Sequence, residues 1–124
     1  MLAGFGVLWV LRMSFVMVAG TALSSLFPPG EPATTAGLVV SLVSDAVDGI
    51  AAGLVASRIA GTAPMAHAGI LAGLFGFMGL RFMDQATGMP GWYAIGFALA
   101  APLGALAGGA IASLLARRGT TKRP

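Results

Sequence analysis

The chain of 124 residues has no cysteine, which excludes disulfide scaffolds, thiol redox relays and cysteine-based metal sites. Charge is nearly as scarce. Charged residues make up 9% of the sequence, seven basic and four acidic, against 57% hydrophobic. A soluble domain carries about 25% charged residues, and one of this size leaves roughly a third of its unfolded surface in contact with water. So few charges cannot cover that surface, and a soluble domain is excluded. Disorder is excluded as well, because disordered chains are poor in apolar residues. With a mean hydropathy of +0.91, an integral membrane protein is what remains.

The net charge of +3 invites a nucleic-acid reading, but its distribution argues against one. Four of the seven basic residues, Arg117, Arg118, Lys122 and Arg123, follow the final apolar run. A basic segment after a hydrophobic one reads as a cytoplasmic anchor facing anionic lipid headgroups. The partner expected is the lipid bilayer, with no nucleic acid.

The apolar runs are long and the breaks between them short. Spans are expected at about 4–27, 33–60, 64–83 and 91–116, each meeting the roughly 20 residues that a helix needs to cross the hydrocarbon core. Pro28-Pro29-Gly30-Glu31-Pro32 ends the first, Gly61-Thr62-Ala63 ends the second, and Pro64 opens the third in a position that suits proline. No segment alternates in character over about ten residues, so a transmembrane β-barrel is excluded. The expected fold is all-α: one transmembrane domain over 1–124, a four-helix up-down bundle.

Basic residues orient the spans. Arg58 ends the second and the basic cluster follows the fourth, so both ends face the cytoplasm and both termini lie inside. Trp92 and Tyr93 then fall at an outer aromatic belt. Arg81 dissents, being basic on the outer side, and Asp84 can partner it across one turn. A cleavable leader is a competing reading of the first span. The segment before Arg12 is apolar and contains Trp9, unlike the charged start of a leader.

Small residues recur at helical spacing: Gly49, Gly53, Ser57 and Gly61 in span two, Gly69 and Gly73 in span three, Ala100, Gly104, Gly108, Ala112 and Ala116 in span four. Such ladders let backbones approach closely. They serve either packing within the bundle or a dimerisation face, so a homo-oligomer or a larger membrane complex stays open. Gly49-Ile-Ala-Ala-Gly53 also echoes Gly104-Ala-Leu-Ala-Gly108.

Asp45 and Asp48 are the most informative pair. They lie mid-span on a face that also carries Ser41 and Ser44, where an ionised carboxylate costs several kcal/mol unless it is paired, neutralised or wet. One reading is a proton or cation site lining a polar path. A second is structural, with Arg12 of span one reaching the depth of Asp48 in a buried ion pair. A third keeps both carboxyls protonated and hydrogen-bonded to neighbouring helices. His67, the one histidine, has neither cysteine nor a second histidine to build the four-ligand set of structural zinc. It reads as an interfacial hydrogen-bonding residue, and neither metal nor cofactor is expected. Met65, Met78, Met83 and Met89 read as gap-filling apolar residues. No catalytic constellation assembles and the loops are short, so an enzyme is not expected.

The run Ala56-Ser57-Arg58-Ile59-Ala60-Gly61-Thr62-Ala63-Pro64-Met65-Ala66-His67-Ala68 resembles the A-x-R-I-A-G-x-x-P-x-x-H-A junction between helices two and three in a group of small, uncharacterised bacterial four-helix membrane proteins. Phe27-Pro28-Pro29, Pro90-Gly91-Trp92-Tyr93, Pro102-Leu103-Gly104 and Gly108-Gly109 fit the same pattern. The resemblance implies the four-span topology and a bacterial inner-membrane location, and it transfers no functional residue. Small multidrug transporters, fluoride channels and the cysteine-dependent vitamin-K-reductase-like and mercury-transport proteins do not fit. Two functions follow. The first is a non-enzymatic structural or accessory membrane component; the second is a minimal proton- or cation-coupled transporter or channel using Asp45 and Asp48, with Arg12 as counter-ion.

Overall fold

The computed structural model describes residues 2–85 and 88–120, so Lys122 and Arg123 lie outside the described residues. It has four helices: α1 (Leu2–Ala22), α2 (Thr35–Ala60), α3 (Pro64–Gln85) and α4 (Gly91–Thr120). Each is long and apolar enough to cross a membrane.

Local chemistry sets the helix ends. The first helix stops at Ala22, short of the expected residue 27, because the chain turns after it. The N–H groups of Leu26 and Phe27 both donate to the Leu23 carbonyl, at 2.9 and 3.1 Å, and Thr34 N–H takes the Leu26 carbonyl at 3.0 Å. Thr34 then caps α2, its hydroxyl accepting from Gly37 N–H at 3.1 Å. Gly61 ends α2 with φ +66°, a conformation that costs glycine little. Ala63 follows at φ +48°, and the Ser57 hydroxyl donates to the Pro64 carbonyl at 2.9 Å. The α2–α3 junction is thereby held from both sides.

Interior and exterior are inverted relative to a soluble protein. The core cluster is Ala52, Ala56, Leu71, Ala72, Phe75 and Ala105, backed by Phe5, Leu8 and Ala101. Buried alongside it are Ser41, Asp45, Asp48 and Ser57, while Val39, Val43 and Val47 of the same helix face outward. Small and polar residues inside with branched apolar residues outside is the distribution a lipid environment favours, since lipid is as apolar as leucine and helices associate through close packing.

That close packing is most extensive between α2 and α4 and between α4 and α3. Gly49 lies against the Ala101 backbone and Gly53 against that of Ala105, while Gly104 meets Ala46 and Gly49, and Gly108 meets Ile50 and Gly53. A Cβ on any of these four glycines would overlap the facing carbonyl. The two echoing segments are therefore facing halves of one interface, and α2 and α4 run in the same direction. Gly79 packs on Ala98 and Gly109 on Ala68, so α3 runs opposite to α4. Gly69 and Gly73 meet nothing within 4 Å; the closely packed face of α3 is carried by Gly79 instead. The first helix lies chiefly on α2, with Gly4 seated on Ala52 and Ala56.

Candidate functional site: an intramembrane charge centre

The α1–α2 register brings Arg12 to the carboxylates of α2. Gly4 sits on Ala52 and Ala56, and the helices run in opposite directions. Each residue advances about 1.5 Å along a helix, so Arg12, eight residues on from Gly4, arrives level with both carboxylates of α2, and its side chain turns to Asp45 and Ser41. Its Nη1 lies 2.7 Å from Asp45 Oδ1, and both Nη atoms approach Ser41 Oγ at 3.5 Å. The expected Arg12–Asp48 pair is therefore corrected to Arg12–Asp45, one turn away. Rings of Phe15 and Phe97 flank the guanidinium, their centroids 5.5 and 5.9 Å from Cζ, within cation–π range.

The network extends to α4. Ser41 Oγ and Tyr93 Oη are 3.2 Å apart, so α1, α2 and α4 meet through polar atoms. Tyr93 is 5% exposed and Trp92 46%. At the start of α4, Trp92 thus faces away from the bundle and Tyr93 into it. Successive helical residues point about 100° apart, which lets Tyr93 turn inward while Trp92 faces out. Ser44 is half-buried and stands outside the network.

Asp48 is the exception. It is 5% exposed, yet its Oδ2 has no hydrogen-bond partner, and Asp45 Oδ2 is likewise unbonded. Hydrogen bonding of Asp48 to a neighbouring helix, one of the expected alternatives, is not found. Both carboxylates line a cavity of about 180 Å³ together with Arg12 and the apolar side chains of Trp9, Phe75, Met78 and Phe97. All four helices contribute a wall. Trp9, Phe75 and Phe97 were not legible as a site, because an aromatic residue in an apolar helix carries no sign of the face it takes.

The remaining candidates lie at the helix ends. Arg81 and Asp84 approach to 3.8 Å, both well exposed. His67 Nδ1 lies 3.1 Å from the Ala63 carbonyl, an exposed contact at the start of α3, and Arg58 is exposed at the end of α2. No group of three or more His, Cys, Asp or Glu side chains that can hold a metal occurs among the described residues. The packing candidates Gly49, Gly53, Gly104 and Gly108 are all used inside the bundle. Ser57 serves the α2–α3 junction. Comparison with family models, curated proteins and solved structures returns no match, so the charge centre itself supplies the grounds for a functional reading.

Proposed function

We propose that this chain is a small multi-pass protein of the bacterial inner membrane that binds and passes a proton or monovalent cation at Asp48. Its helices cross the bilayer alternately, up and down, with both termini in the cytoplasm, and it is not an enzyme. The observation that carries the reading is that Asp48 is buried, has an oxygen without a hydrogen-bond partner, and lines a four-helix cavity. A lone ionised carboxylate at that depth costs several kcal/mol, so a proton or cation must accompany it. The Arg12–Asp45 pair is the fixed half of the centre, and Asp48 is the half left free to exchange. The test is flux into liposomes holding the purified protein. Wild type carries protons or a monovalent cation, and Asp48→Asn loses at least tenfold of that flux while keeping its helix content. Absence of flux in the wild type across H⁺, Na⁺ and K⁺ gradients would overturn the reading.

A second reading, a non-enzymatic structural or accessory component, is favoured by the Arg12–Asp45–Ser41–Tyr93 network. That network ties three helices together and needs no transported ion. It leaves the cavity and Asp48 without a role, which is why it stands second.

A further inference from the structure

We infer that the cavity before Asp48 is a binding site for a small lipophilic ammonium ion, an amine cation with an aromatic or branched apolar body. This deepens the proposed function and rests on Asp48 being its cation site.

Charge comes first. The cavity holds two carboxylates and one guanidinium, and the guanidinium is engaged by Asp45 at 2.7 Å. Asp48 has no such counter-charge: it lines the cavity and its Oδ2 is buried and unbonded, so its ionised form leaves one negative charge uncompensated. The occupant is therefore a monovalent cation with a donor to give. Next come the walls. Trp9, Phe75 and Phe97 present aromatic surface and Leu8, Met78 and Ala101 aliphatic surface. Aromatic faces attract organic cations, most strongly when water is excluded. A hard cation such as Ca²⁺ or Mg²⁺ wants about six oxygen ligands, and among the described residues the unbonded buried carboxylate oxygens are those of Asp45 and Asp48. A bare proton needs no aromatic chamber at all.

Size and access agree. A volume of about 180 Å³ is below the roughly 300 Å³ floor of drug-sized pockets, so the body is small. Trp9 of α1 and Met78 of α3 are 44% and 40% exposed while lining the same cavity. Its lip therefore lies between α1 and α3 on the outer surface of the bundle, against the acyl chains when the helices span a bilayer. An amine with an apolar body partitions to that lip, whereas a hydrated metal ion does not.

The experiment is calorimetric titration of the purified full chain in detergent with 2-phenylethylammonium chloride. Its uncharged analogue 2-phenylethanol and sodium chloride serve as controls. The ammonium binds saturably, the alcohol and sodium do not, and Asp48→Asn weakens ammonium binding at least tenfold. Trp9→Leu, a change at the exposed lip, weakens it at least threefold and keeps the test open if Asp48→Asn fails to fold. The inference is overturned if the wild type binds no ammonium, if the alcohol binds equally well, or if neither substitution weakens binding. Asp48-dependent proton or sodium flux without ammonium binding would reject this inference and leave the proposed function standing. Ammonium binding without any flux would do the reverse.

Discussion

Asp45 and Asp48 share one face of α2 and are buried to the same degree, 7% and 5% exposed, but only Asp45 has a partner. Arg12 reaches it at 2.7 Å, and Asp48, a turn further on, lines the cavity and keeps a buried oxygen unbonded. The two carboxylates therefore separate into a fixed member and a free one. Removing each should have different consequences.

Arg12→Leu leaves Asp45 buried and unpaired, the situation that makes breaking a buried ion pair cost about 3–5 kcal/mol. The expected result is a large drop in unfolding midpoint in detergent. Arg12→Leu combined with Asp45→Leu should recover most of the loss, because two apolar side chains replace the pair without stranding a charge. Asp48→Asn should leave stability unchanged or raise it. Equal losses from Asp48→Asn and Arg12→Leu would contradict the division of roles.

Replacement of Gly53 by alanine places a methyl group on the Ala105 backbone. Overpacking of this kind costs about 1–3 kcal/mol, and the obstacle is main chain that cannot rotate aside. Gly73→Ala meets open space and should change stability by no more than about 0.5 kcal/mol. Denaturant unfolding of the two variants side by side measures the contrast. A loss at Gly73 equal to that at Gly53 would place an additional close contact on α3.

Tyr93→Phe removes the hydroxyl that meets Ser41 and keeps the ring. The expected loss is about 1 kcal/mol, the usual net worth of one hydrogen bond, read as a lowered unfolding midpoint. Trp92→Phe, on the exposed neighbour, should be silent in the same assay. The reverse order would mean that Tyr93 faces outward.

The absence of cysteine makes topology directly measurable. Single cysteines at Thr62, between α2 and α3, and at Glu31, between α1 and α2, should react with a membrane-impermeant maleimide from opposite sides of the membrane under the proposed topology. Glu31→Cys should label in intact spheroplasts and Thr62→Cys only after lysis. Labelling of both from outside would reject the alternating arrangement with cytoplasmic termini.

Four apolar helices were legible from the sequence because span length and hydropathy are one-dimensional quantities. A run of about 20 apolar residues meets the thickness of a bilayer core whatever its neighbours are. Prolines and glycines at the breaks then located most ends within a few residues. The turn at Leu23–Phe27 was not legible, because it depends on Thr34 reaching back to Leu26, a contact across the loop.

The charge centre divides along the same line. That Arg12, Asp45 and Asp48 are the interior charges follows from the sequence alone, since charge inside an apolar span has no other explanation than a role there. Which carboxylate Arg12 takes, which aromatic side chains close the cavity, and which of Trp92 and Tyr93 turns inward were decided only in three dimensions. Each depends on the sliding register and rotation of one helix on another. That register is set by backbone contacts at Gly4, Gly49 and Gly53, and a glycine in sequence does not name the helix it will touch.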